Sequence, residues 1–270
     1  MDAPSAVVRT ADRAMEAETF GSKALRTVQA QLFARRHRLR DVALCFSQGR
    51  TVGLMAVDAA TFEARLSEVG FAPRLLVHCR RAELEKLGTG LRRHGYDVAP
   101  ELDLMAGARA TVLARTWAVL AGTPARFVHM VLNASSAPES IKAVQTCQQD
   151  AGLTPLPGWI LRGLDGASRS TVLVDHAGNI VGSHTTQVIT LRAHQAVMGL
   201  ALCVDPAEAG KGCGVRLAAH GFYHGLLAGG EDALAIVEPD GHRSRQVHQL
   251  CGLTDDPQYC FLFAELDHVL

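Results

Sequence analysis

One stretch constrains this chain more than any other. Leu202-Cys-Val-Asp-Pro206 reads as the end of a strand, and Gly210-Lys-Gly-Cys-Gly214 leads straight into helix-forming residues. Glycines permit a compressed backbone whose N–H groups point one way, and a helix start adds partial positive charge. The spacing therefore predicts an anion seat suited to a phosphate or pyrophosphate, with Lys211 as a mobile cation beside it. Two nucleotide motifs fail at this place. The dinucleotide fingerprint needs glycine where Val215 stands, and the P-loop needs Ser or Thr after its lysine, where Gly212 stands. A glycine-rich turn without a ligand is the alternative reading.

The charge balance limits the partners. With 27 Lys and Arg against 27 Asp and Glu in 270 residues, the chain has no broad basic surface, so no nucleic-acid partner is expected. No apolar stretch approaches the roughly 20 residues of a membrane span, and Met1 to Arg26 has no apolar run of a signal peptide. The expected setting is cytoplasmic, without a membrane partner. Seven cysteines, at 45, 79, 147, 203, 213, 251 and 260, make an odd count, and most lie in apolar runs. They read as reduced, mostly buried thiols with no C-x-x-C spacing. His220 and His224 have an i, i+4 spacing that can ligate zinc, yet the Glu of the zincin motif is missing, so no metal site is expected.

Periodicity along the chain predicts helix over 12–39, a hairpin over 41–57, helix over 59–69, strand over 74–79, helix over 83–94 and strand over 101–105. Residues 108–120 are ambiguous. Punctuation at Ala121-Gly-Thr-Pro124 places a boundary there, giving domains 1–122 and 123–270. The second half reads as strand 127–132, helix 139–151, a short helix 159–164, a hairpin of 171–174 with 180–191, strand 196–204, the glycine loop, helix 215–227, strand 232–237, helix 243–250 and strand 259–266. The fold class is α/β, with a mixed central sheet flanked by helices.

This order, with its Val-Asp-Pro strand end, Ala209-Gly-Lys-Gly-Cys-Gly214 loop and Leu250-Cys-Gly-Leu253 helix close, resembles the GNAT acetyltransferase superfamily over about residues 126–267. That family's loop is Gln/Arg-x-x-Gly-x-Gly/Ala; Gly212 and Gly214 match, and Ala209 replaces the Gln/Arg. The resemblance implies acetyl-CoA as co-substrate. Leu202, Cys203 and Val204 would pair through their main chain with the pantetheine arm, and Ala209, Gly210, Lys211, Gly212, Cys213 and Gly214 would hold the pyrophosphate. A small residue near the CoA arm is expected at Ser244, while the family's frequent Asn falls on Gly241. The first half repeats the hairpin, strand, helix and strand order, and Arg93-His-Gly-Tyr96 looks like the family's helix ending. It reads as a degenerate GNAT-like half, or a lid, in a tandem arrangement.

Acetyl transfer needs a base to keep the amine neutral, an N–H to polarise the thioester, and an acid for the leaving thiolate. The family's usual Glu is absent from Val197–Val204, and its Tyr position falls on His248. The candidate catalytic groups are Glu238, His248 and His184, each weighed against a packing or solvated role. The expected activity is direct N-acetylation of a small-molecule or peptide amine, with a homodimer left open. A CoA-binding or sensing module without turnover, and transfer of a longer acyl group from CoA or a carrier protein, are the alternatives.

Overall fold

The computed structural model describes residues 18–41, 45–70, 72–122, 127–191 and 194–266. The parts of the predicted elements at 12–17 and 42–44, and residues 123–126 of the boundary, lie outside them. Eight α-helices are described: α1 (Lys23–Asp41), α2 (Phe62–Val69), α3 (Leu84–Arg93), α4 (Arg109–Gly122), α5 (Pro138–Asp150), α6 (Gly158–Leu161), α7 (Cys213–Leu227) and α8 (His242–Leu250). The strands are β1 (Cys45–Ser47), β2 (Val52–Val57), β3 (Arg74–Arg80), β4 (Tyr96–Val98), β5 (Leu102–Ala108), β6 (Val128–Val131), β7 (Ser168–Val174), β8 (Ile180–Leu191), β9 (His194–Val204), β10 (Asp232–Val237) and β11 (Thr254–Leu266).

All eleven strands join one mixed sheet in the order β1-β2-β3-β11-β5-β10-β9-β8-β7-β6, with β4 also paired to β11. Each half contains a hairpin leading into a parallel β-α-β crossover. In the first half this is β1-β2-α2-β3, with Val52 beside Leu75; in the second it is β8-β9-α7-β10, with Ala196 beside Asp232. The fold is thus the expected mixed sheet with helices on its faces, in two similarly ordered halves.

The halves exchange strands. β5, from the first half, lies antiparallel to β10 from Ala108–Asp232 to Asp103–Val237. The last strand, β11, lies antiparallel to β3 from Arg80–Tyr259 to Arg74–Glu265, and Arg74 clasps Glu265 at 2.8 Å. Asp103 on β5 sits between Arg81 at 2.6 Å and Arg245 on α8 at 2.8 Å. Burial works against its ionisation, but hydrogen bonds from both arginines hold its carboxyl below the usual carboxylate range.

Packing follows residue pattern. Pro138 opens α5, where a missing N–H costs nothing, and Ile141, Val144 and Gln148 share its buried face. Ile141 and Val144 join one apolar cluster with Leu32 of α1, Leu54 of β2, Val77 of β3, Trp159 of α6 and Leu262 of β11, so both halves share a core. The opposite face is covered by α4, α7 and α8 over Met105, Val112, Phe222 and Leu253. The sheet curls: Gln187 on β8 donates from Nε2 to the Ser47 carbonyl on β1 at 2.9 Å, although six strands separate them in sheet order. Of the ambiguous stretch 108–120, Ala108 ends β5 and the rest is helix α4, fixed by buried Val112 and Thr116 one turn apart. The short β4 escaped the sequence pattern; Tyr96 anchors it by donating its hydroxyl to the Ala72 carbonyl at 2.7 Å. Among the described residues no helix is long and apolar enough to cross a membrane.

Candidate active site

Parallel pairing of β9 with β10 ends at Gly199 and Ala235, while β9 continues to Val204. The two strands part there and leave the β10-side edge of β9 without a strand partner. The same place carries an irregularity: Thr185 opposes Ala201 and Thr186 opposes Gly199, so Leu200 is an extra residue on β9. A bulge of this kind takes a backbone group out of the ladder and re-aims it. Residues 199–202 are half-buried, unlike the covered stretch 196–198.

Beyond Val204, Asp205 accepts from the Ala207 amide at 2.8 Å and starts a short 3-10 turn, Pro206–Glu208. Gly210 and Gly212 then take φ of +77° and +82°, a region that favours glycine. A Cβ on either would meet open space, so their outer side faces solvent. Gly212 is the N-cap of α7 and makes no side-chain cap hydrogen bond. A Cβ on Gly214 would lie 3.6 Å from Val204 and 3.7 Å from Val247, so the loop joins β9, α7 and α8. Lys211 is at the surface, with Nζ 3.1 Å from Glu208. Open space beside a glycine backbone at a helix start suits an anionic group.

The first half differs at its matching helix start. Before α2, the Asp58 carboxylate accepts from the amides of Ala60 at 3.1 Å and Thr61 at 2.8 Å, and from the Thr61 hydroxyl at 2.8 Å. The hydrogen bonds from Thr61 hold that carboxyl below its ordinary range. The seat is filled by the chain's own anion.

The predicted side chains do not converge. Leu202 and Val204 face the α7 side and pack against Cys213 and Leu217. Cys203 faces the other way, its Sγ 3.5 Å from Cys147 Sγ and 3.1 Å from the Ser183 hydroxyl, so only its main chain is at the parting of the strands. His184 is buried under α7, its Nδ1 3.3 Å from the Leu217 carbonyl. Burial and the neighbouring His248 pull its pKa down to about 3. His248 is buried between α8 and α7, donates from Nδ1 to the Ser244 carbonyl at 2.8 Å, and is held to about 4 by burial. Ser244 is half-buried, with its hydroxyl 3.5 Å from the same nitrogen. Phe222 stands edge-on to both imidazoles, 5.2 Å from His184 and 5.9 Å from His248.

Glu238 is exposed and stands directly after β10. It lines a cleft of about 560 Å³ with Pro239, Asp240, Phe263 of β11, Ala99, Pro100 and Glu101 from the turn before β5, and Leu102 at the start of that strand. Half of this lining comes from the first half of the chain, and no motif announced it. His129, His220 and His224 form a separate stack on the far side of α7, with successive rings 4.3 Å apart. Among the described residues no group of three or more His, Cys, Asp or Glu is placed to hold a metal ion.

No protein-family model matches the sequence, and no curated protein does. Solved structures do. A GCN5-related N-acetyltransferase from Kribbella flavida matches with a TM-score of 0.54 at 15% identity, covering 91% of this chain and 96% of that one. A GNAT-family putative acetyltransferase from Novosphingobium aromaticivorans gives 0.52 at 12% identity over 88% and 96%. A structural-genomics target from Drosophila gives 0.57 at 12% identity over 94% and 95%. At these identities the likeness is one of fold.

Proposed function

Taking the fold of the GCN5-related N-acetyltransferases as premise, we propose that this chain moves an acetyl group from acetyl-CoA to an amine by direct transfer. The observation that carries the reading is the parting of β9 from β10 at a bulge, directly before an open glycine loop at a helix N-terminus. Leu202 to Val204 would hold the pantetheine arm through their unpaired main-chain edge, as an added strand is held. Gly210 to Gly214 would seat the pyrophosphate, with Lys211 turning from Glu208 to the phosphate.

When bound, acetyl-CoA supplies an activated acyl carbon and a thiolate leaving group. The chain's part is positioning and proton handling. The backbone N–H re-aimed near Leu200 polarises the acyl carbonyl. Glu238, at the cleft, takes a proton from the acceptor ammonium so that a neutral nitrogen attacks. The C–N bond forms as the C–S bond breaks; the second amine proton goes to the departing sulfur, giving amide, CoA thiol and one proton released. In this reading His184 and His248 are neutral groups that seat α7 and α8 and exchange no protons. The first half binds no CoA, because Asp58 occupies its helix start.

Calorimetric titration with acetyl-CoA tests the reading directly. Binding in the micromolar range is expected, and no heat at millimolar ligand would defeat it. One observation favours a second reading: β9 carries no carboxylate from Val197 to Val204. A CoA-binding module without turnover would bind acetyl-CoA yet release no thiol across a panel of amines.

A further inference from the structure

The cleft beside Glu238 specifies more than a place. Its volume of about 560 Å³ lies in the range of small-molecule sites, roughly 300–1,000 Å³. Ala99, Pro100, Leu102, Pro239 and Phe263 make its walls apolar, and its only charged lining residues are Glu101, Glu238 and Asp240. These carboxylates are not equivalent. Glu101 is paired with Arg81, whereas no ion pair among the described residues involves Glu238 or Asp240. No Lys or Arg lines the cleft.

We infer that the cleft takes, as acceptor, a cationic amine on an apolar body that has no carboxylate of its own. This rests on the transfer reading and narrows its acceptor. The apolar walls favour an alkyl or aromatic body, which gains by leaving water. Glu238 and Asp240, at the rim, complement an ammonium and repel an anion. An amino-acid zwitterion would bring its carboxylate against two acids that make no ion pair among the described residues, with no Lys or Arg in the lining to receive it. The position agrees: Glu238 lies three residues beyond Ala235, the last β10 residue paired with β9. Because the two strands are parallel, Glu238 stands at the same end of the sheet as the part of β9 that runs on unpaired with β10. The same carboxylate that recognises the cation is then the one that removes its proton.

Three probes of nearly one shape separate the terms: phenethylamine, 2-phenylethanol and phenylalanine. Their binding to the full chain is measured by ligand-observed NMR, in parallel with the double variant Glu238→Gln and Asp240→Asn. Both positions are exposed, so the variant is expected to fold, and its circular dichroism checks this. Phenethylamine is expected to bind about tenfold or more tightly than either analogue, a difference of ~1.4 kcal/mol per tenfold. The double variant should lose that preference while its weak affinity for the alcohol stays unchanged. Equal binding of the three probes, no amine binding, or a preference that survives in the variant would overturn the inference. Acetyl-CoA titration separates the two claims. Acetyl-CoA binding without amine preference removes this acceptor class and leaves the transfer reading, while amine preference without acetyl-CoA binding does the reverse.

Discussion

The imidazole of His184 fills the space that a side chain at Gly221 would need: a Cβ on Gly221 would lie 2.4 Å from Nδ1. Glycine at this helix position is a close-approach residue, and α7 rides on β8 and β9 because of it. Gly225, one turn on, does the same over Val197, with 2.6 Å to Cγ1.

Gly221→Ala should therefore destabilise the chain. In an open helix the change stabilises by roughly 0.5–1 kcal/mol, but here the overpacking is expected to cost about 1–3 kcal/mol. His184→Ala removes the obstacle, so the double variant should be more stable than the sum of the single losses predicts. Urea unfolding of the four proteins gives the coupling. A stabilised Gly221→Ala would show that the helix does not approach so closely.

Acid should weaken the fold from just below neutrality. His184 and His220 are pulled down to about 3, and His129 and His248 to about 4, each mainly by burial. A group whose folded pKa lies below its unfolded value contributes stability that is complete above the unfolded pKa, about 6.5, and is lost as pH falls towards the folded one. The urea midpoint should thus drop between pH 7.5 and pH 5. His248→Gln should make that drop shallower, and a midpoint flat across this window would contradict the buried, neutral state.

Lys211→Ala is expected to weaken acetyl-CoA binding several-fold, and more so at low salt, where an exposed charge is least screened. Glu208→Gln should have the opposite effect, because it releases the ammonium now 3.1 Å from that carboxylate. Gly212→Ala forces a left-handed backbone on an L-residue, at about 1–2 kcal/mol, and should lower affinity further. Calorimetry reads all three, and an unchanged Lys211→Ala would remove that residue from the anion seat.

Separate fragments 1–122 and 123–270 should fail to fold alone. The second would lack β5 and leave β10 with an uncovered edge; the first would lack β11 between β3 and β5. Mixing them from denaturant should restore the far-ultraviolet spectrum of the intact chain. A soluble, monomeric 123–270 with cooperative unfolding would speak against the exchange.

The glycine loop and β-α-β order were legible because local chemistry determines them: glycine conformations, a strand that ends in proline, apolar periods. The apolar run 232–237 has a strand's length and composition, and β10 has those limits. Pairing was not legible. Nothing in Leu102–Ala108 says that it will lie beside Asp232–Val237, because both are short apolar runs without register marks. The cleft was hidden for the same reason, since Leu102 and Phe263 reach Glu238 only through that exchange. Side-chain direction was lost at the histidines: His184 alternates towards α7, a choice set by two glycines, Gly199 and Gly221, on other elements. The bulge at Leu200 exists only as a mismatch between two strands.

The strand exchange also fixes an order of events during synthesis. Arg74 and Glu265, which clasp each other across β3 and β11, are 191 residues apart in the chain. Ribosomes add about 5–20 residues per second, and early domains usually fold while later ones are still being made. Here the first half emerges with a place for a central strand still empty, and Glu265 of that strand follows Arg74 of β3 by 191 residues. For roughly ten seconds or more at that rate, β3 waits with an open edge of Leu75, Val77 and Cys79 backbone, exposed to pairing with a neighbouring nascent chain.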